Sequence, residues 1–208
     1  MFTSAEISQH LSDAFNPAIP PESPYPLAYN QQPKQPAAVL IPFLWKKGEW
    51  HLLFIRRTLH ELDRHSGQVA FPGGRCDSGE TEAESAALRE AAEEVGVHPK
   101  DVQILGKLRD MLTITNYRVT PVVGRMPWPY KLVLQPEEVS RAFTIPLGWL
   151  ADPANREVRQ RDISLFGEPI PVIFFKPYDG ETLWGASARM TMLLLEALGL
   201  SDSEQRYT

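Results

Sequence analysis

A single cysteine, Cys76, in 208 residues has no partner within the chain. An internal disulfide framework and a cysteine-based zinc cluster are therefore both excluded. No uninterrupted apolar run approaches the roughly 18 residues of a membrane span. The first segment, MFTSAEISQHLSDAF, lacks the basic start and apolar stretch of a secretory signal. Basic charge is in short supply as well. Against 26 Asp and Glu stand 21 Lys and Arg, a net charge of −5, so no global positive field holds nucleic acid or an anionic membrane. Neither G-x-G-x-x-G nor G-x-x-x-x-G-K-[ST] is present to form a phosphate loop. These absences lead to the expectation of a soluble, cytoplasmic protein without nucleic-acid or membrane partners. Nothing in the composition speaks to its oligomeric state.

What is present is enough for a core. Apolar residues make up 43% of the chain, among them 9 Phe, 5 Trp and 6 Tyr, which excludes a disordered chain and suits one domain. Ser4 to Phe15 reads as a short amphipathic helix with Ile7, Leu11 and Phe15 on one face. From Asn16 to Ala37 seven prolines predict an extended arm rather than regular structure, lying along the surface or remaining mobile. Strands are predicted at Ala37 to Trp45, Trp50 to Ile55 and Gln68 to Phe71, the last stopped by Pro72-Gly73-Gly74. A helix from Glu82 to Val95 follows, opened by a capping box of Thr81 and Glu84 and closed by Gly96. Further strands are expected at Val102 to Leu108, Tyr117 to Val123 and Val172 to Phe175, and a last helix at Ser187 to Leu198. This order suggests an α/β fold of the α+β kind, a mixed sheet with helices packed on its faces. The divisions are an arm over 1–36, a domain over 37–200 and a tail over 201–208.

The helix before Gly96 carries the chemistry. Glu90, Glu93 and Glu94 stand at i, i+3 and i+4 and so share one face. Like charges at this spacing repel by roughly 0.2–0.5 kcal/mol a pair, in the half of the helix where the dipole disfavours anions. Arg89 is the one nearby cation, reaching Glu93 at i+4. A solvated acidic face accounts for three such glutamates, and so does a divalent cation, because hard ions take carboxylate oxygens. Gly73-Gly74 lies upstream, where close backbone approach lets a Gly74 carbonyl join the ligands.

Gly74, Glu80 and the run Arg89-Glu90-Ala91-Ala92-Glu93-Glu94-Val95-Gly96-Val97 resemble the Nudix hydrolase signature. Eight residues separate Glu80 from Arg89 where the general family has seven. That offset is similar to the coenzyme A pyrophosphatase branch, whose upstream pattern resembles Leu52-Leu53-Phe54-Ile55-Arg56-Arg57-Thr58, then Gly67 and Phe71-Pro72-Gly73-Gly74. Downstream, Pro136-Glu137-Glu138-Val139, Pro146-Leu147 and Trp184-Gly185-Ala186-Ser187-Ala188 also look like that branch.

The resemblance implies an α/β/α sandwich and Mg²⁺- or Mn²⁺-dependent hydrolysis of the diphosphate in a small nucleotide substrate, CoA or its thioesters foremost. Glu90, Glu94, Glu93 and Gly74 are the implied metal ligands. Glu90, Glu93 and Arg89 are the implied catalytic group, with the base left open among the glutamates. Arg57, Thr58, Arg56 and Gly73 are the implied substrate contacts, because guanidinium forks match phosphate oxygens. ADP-ribose, NADH or nucleoside triphosphates are alternative substrates, and a silent nucleotide-binding regulator is the alternative of another class. Arg64 and Arg75 read as loop charge, and His60, His65 and His98 as loop polar residues without a zinc-binding pair. Cys76 has no activating histidine, Glu137 and Glu138 read as surface residues, and Trp184 as a wall aromatic.

Overall fold

The computed structural model describes residues 2–59, 67–80, 82–163 and 166–201. Thr81, His60, Arg64 and His65 lie outside the described residues, so the capping box and three loop readings are not addressed by it. In chain order come α1 (Ser4–Ala14), α2 (Leu27–Asn30), β1 (Gln35–Lys46), β2 (Glu49–Arg57), β3 (Val69–Ala70) and β4 (Gly73–Arg75). Then follow α3 (Ala83–Val95), β5 (Gln103–Lys107), β6 (Met111–Leu112), β7 (Tyr117–Arg125) and β8 (Val139–Pro146). The chain continues through α4 (Leu147–Ala151), β9 (Arg156–Asp162), β10 (Pro169–Phe175) and α5 (Gly185–Ala197).

β1 is the axis of the sheet. It pairs antiparallel with β2 through a hairpin whose two turn residues, Lys47 and Gly48, both have positive φ, as a twist-matched two-residue turn requires. On its other edge β1 pairs parallel with β7, from Gln35↔Tyr117 to Phe43↔Arg125. β8 continues the sheet beyond β2, and β5 and β6 pair with β7. Helices cover both faces, so β1 is apolar on both. Ile41 and Phe43 enter a core shared with α1 and α5, while Ala38, Leu40 and Leu44 enter a core shared with α3. This is the mixed sheet with helices on both faces that the element order implies.

Several elements differ from the sequence reading. β3 ends before Pro72 as expected, but Gly73-Gly74 is more than a stop, because it opens a strand of its own. β4 pairs with β1 through Val39↔Gly73 and Ala38↔Gly74, and a Cβ on Gly73 would lie 2.5 Å from the Ala38 carbonyl. The missing side chains are what allow the approach. The proline-dense arm is also partly regular. Glu22 bridges to Met111 at the edge of β6, Tyr29 is buried in α2, and its hydroxyl donates to the Thr113 carbonyl at 2.8 Å. β8, α4 and β9 carry weak apolar signals. β9, for example, is mostly exposed, Arg-rich and paired only with β10.

α1 is a structural member of the core rather than an appendage. Ile7 and Leu11 are fully buried, and Gly106 of β5 leaves room for Leu11, which a Cβ there would meet at 3.0 Å. Leu11→Ala is expected to lower unfolding free energy by about 2–5 kcal/mol in denaturant titration. A loss well under 1 kcal/mol would show that α1 is not part of the cooperative unit.

Candidate active site

Small residues bring α3 close to the sheet. Ala87, Ala91 and Val95 recur every fourth residue, and with Ala86 they are buried against β1. The adjoining stripe carries Glu90 and Glu94 down onto β4. Glu94 is 1% exposed, and its Oε2 accepts the Gly73 backbone N–H at 2.9 Å. Glu90 lies over Gly74, where a Cβ would come within 2.5 Å of its carboxylate. The two glycines thus form a cradle for two carboxylates, and any side chain at Gly74 would fill the space that one of them occupies. Glu93 diverges, with 60% of its side chain exposed. Among the described residues no three acidic, histidine or cysteine groups are already gathered around one point.

Arg89 organises the outer side. Its Nη1 donates to Glu90 at 2.9 Å and to Glu93 at 3.2 Å, and its Nη2 to Glu80 at 3.2 Å and to the Arg75 carbonyl at 2.9 Å. The extra residue between Glu80 and Arg89 therefore does not separate them. Hydrogen bonds from the Asp77 N–H and from Arg89 hold the Glu80 carboxyl below its ordinary range, and the carboxylates, Glu80 first, hold Arg89 well above its own.

Burial has the opposite effect on the inner pair. It pushes Glu90 up and drives Glu94 from the ordinary 4.5 to about 7, against the lowering effects of Gly73 N–H and Arg57. Negative charge adds to both shifts, from Glu93 and Glu138 on Glu90 and from Glu90 and Glu138 on Glu94. Sequence reasoning assigned Glu138 to the surface. It is exposed, yet the segment carrying it is pinned beside the helix, Gln135 N–H donating to the Glu94 carbonyl at 3.0 Å and Thr58 N–H to the Glu138 carbonyl at 2.8 Å. The signal was the Pro136-Glu137-Glu138-Val139 run.

The three upstream residues separate. Arg57 reaches inward, with Nη1 3.7 Å from Glu94 Oε1. Arg56 turns instead to the buried Glu181, at 3.0 Å, which it shares with Arg141. The Thr58 hydroxyl donates to the Pro136 carbonyl at 2.9 Å, fastening this loop. Cys76 has its thiol pushed up by burial, the opposite of activation. His98 caps a short 3₁₀ turn by accepting from Lys100 N–H, and Trp184 stacks on Phe174.

Arg57, Gly73 and Gly74 open onto a cleft of about 800 Å³. Beyond them its walls are largely apolar, including Val39, Phe71, Ile173 and Trp184. The half-buried Glu90 and the buried Glu94 thus rest on glycines that, with the inward Arg57, line one large cleft.

Residues 33–164 match the family described as the NUDIX domain. The chain belongs to the NUDIX domain family. Among curated proteins it is similar to the uncharacterized Nudix hydrolase NudL of Escherichia coli K12 and of Escherichia fergusonii, 45% identical over 111 residues in each. That match covers 53% of this chain and 57% of each relative, so the chain spans little more than half their length. Among solved structures it is similar to the Nudix hydrolase RenU of M. smegmatis, at 23% identity and TM-score 0.48, over 58% of this chain and 76% of that one. The Nudix resemblance of the helix is thus established at family level. The description of the relatives assigns no substrate.

The raised Glu94 gives a pH signature. The folded chain holds this proton to about pH 7 while the unfolded chain releases it near 4.5. The contribution to stability is therefore complete below about 4.5 and is lost as pH rises through 7, of order 3 kcal/mol in all. In chelator, Glu94→Gln, which retains an acceptor for Gly73 N–H, should gain thermal stability over wild type as pH rises from 5 to 8. Parallel melting curves across that range would contradict a buried titrating carboxylate.

Proposed function

We propose that this Nudix domain is a hydrolase that cleaves the diphosphate bond of a nucleoside diphosphate-linked substrate, with coenzyme A or its thioesters the substrate class. The observation that carries this is the Glu90–Glu94 pair on Gly73-Gly74, beside Arg57 at the mouth of the cleft. The donor set suits a hard divalent cation. Burial pushes both carboxylates up, Glu94 to about 7, a cost that a hard divalent cation such as Mg²⁺ or Mn²⁺ would offset. Glu90 and Glu94 would hold it, with Glu93 and a Gly74 carbonyl as the further ligands the resemblance implies. When bound, such an ion lowers the pKa of water and offsets charge on phosphate oxygens.

The chain's own residues supply the rest. A water oxygen attacks one phosphorus, the bridging P–O bond breaks, and a carboxylate of the Glu90, Glu93 and Glu94 group takes the water proton. Arg89 holds Glu90 and Glu93 in place and does not itself titrate. Arg57 faces the same carboxylates and meets the diphosphate with its fork. Arg56, committed to Glu181, contributes through the strand rather than by contact. With coenzyme A the products are 4′-phosphopantetheine, or its acyl form, and adenosine 3′,5′-bisphosphate. The apolar length of the cleft supports a substrate with a long non-nucleotide part.

Glu90→Gln and Glu94→Gln should each reduce kcat by at least about a hundredfold while the protein stays folded by circular dichroism. Near-normal turnover in both would move the reaction elsewhere. A panel of CoA, ADP-ribose, NADH and dNTPs tests the substrate class, and CoA turnover no better than the others contradicts it. Because Arg57 stands beside Glu94, Arg57→Ala should lower kcat/KM about ten- to a hundredfold on CoA and on dephospho-CoA alike. A loss confined to CoA would place Arg57 on the 3′-phosphate instead.

A further inference from the structure

Arg189 stands apart among the buried charges of this chain. Glu22 pairs with Arg109, Glu181 with Arg56 and Arg141, and Glu94 with Arg57. Arg189 is 3% exposed, projects from α5, and pairs with no carboxylate among the described residues. Its Nη2 donates to the Leu112 carbonyl at 2.7 Å, and its Nε has no hydrogen-bond partner. A buried charge is ordinarily compensated, because desolvation without a partner is costly.

The place of this orphan matters. Arg189 lines the same cleft as Arg57, Gly73 and Gly74. The hydroxyl-bearing residues Thr113 and Ser187, both buried, line it as well. Asp162 also lines the cleft but is exposed and makes no ion pair with Arg189. The N-terminal arm closes the arrangement. Tyr25 lines the cleft with its ring 5.3 Å from the guanidinium, a cation–π contact that orients the fork without neutralising it. The arm is held there by Glu22 N–H donating to the Asp110 carbonyl at 2.7 Å and by the Tyr29 hydroxyl on Thr113. The protein therefore maintains an uncompensated, oriented guanidinium in a largely apolar cleft.

We propose that Arg189 is the receptor for a second phosphate of the substrate, apart from the diphosphate that Arg57 meets. On coenzyme A that group is the 3′-phosphate, so the identity of the ligand rests on the proposed function, whereas the presence of a phosphate receptor does not. The cleft then reads its substrate with two guanidinium forks, and the arm, through Tyr25, is part of the selective wall.

Two readouts test this. The first is kcat/KM for CoA against 3′-dephospho-CoA. The second is the melting shift produced, in chelator, by adenosine 3′,5′-bisphosphate against 5′-AMP. Arg189→Met keeps the length and apolar packing of the stem. It should reduce kcat/KM for CoA about ten- to a hundredfold, leave dephospho-CoA within about twofold, and erase the extra melting shift of the bisphosphate. If Arg189→Met does not fold, Arg189→Lys keeps the charge without the fork, and its preference for the 3′-phosphate should fall. Equal loss on both members of each pair, or no loss on either, overturns the proposal. If wild type cleaves no CoA compound yet binds the bisphosphate through Arg189, the substrate reading fails and the phosphate receptor stands.

Discussion

The hydrogen bond from the Gly73 N–H to the buried Glu94 carboxylate is the contact on which the site depends. It joins the helix that supplies the acidic groups to the strand that supplies their floor. α3 is held against the sheet by Ala86, Ala87 and Ala91, side chains short enough to let backbone and carboxylate meet. Burying Glu94 costs free energy unless a proton or a cation compensates it. One turn earlier Glu90 lies close over Gly74 and is held by Arg89 instead. The acidic pair is therefore destabilising in isolation and is kept because the helix and the glycines leave it nowhere else to go.

From that constraint the charge distribution follows. Arg89 gathers Glu80, Glu90 and Glu93 around one guanidinium, and Arg57 faces Glu94 from the cleft. Arg89 sets the geometry of Glu90 and Glu93, and on the proposed reading Arg57 would offer its fork to the substrate. The sheet positions both. β2 delivers Arg57 to the cleft and commits Arg56 to Glu181, so two adjacent arginines have unrelated tasks. The arm completes the same cleft from outside the matched family region, with Pro24 and Tyr25 in its wall.

The helical part of the site was legible because its information is local. The i, i+3, i+4 spacing put Glu90, Glu93 and Glu94 together, and Gly96 ended the helix in the left-handed conformation as read. What the spacing did not reveal was their divergence. Glu93 faces solvent while Glu94 is buried and Glu90 half-buried, a difference set by where the sheet lies. Gly73-Gly74 read as punctuation, although the lack of side chains is what makes it a strand beneath two carboxylates. Arg56 and Arg57, alike in sequence, are told apart only by a partner 125 residues away from Arg56. Arg189 had no local signal, since it acquires its meaning from elements distant in the chain. β8 and β9 were missed for a related reason, their pairing being supplied by β2 and β10 rather than by apolar patterning, and α4 is only five residues long.

On the proposed reading, Glu90 and Glu94 would take a divalent cation in exchange for the proton that burial holds on Glu94 to about pH 7. Calorimetric titration of Mn²⁺ into the chelator-treated, then dialysed protein, in buffers of differing ionisation enthalpy, counts the protons released on binding. The account requires release approaching one proton per ion at pH 6, declining towards zero by pH 8.5 as Glu94 ionises on its own. Binding without proton release at pH 6, or no binding at all, would contradict it.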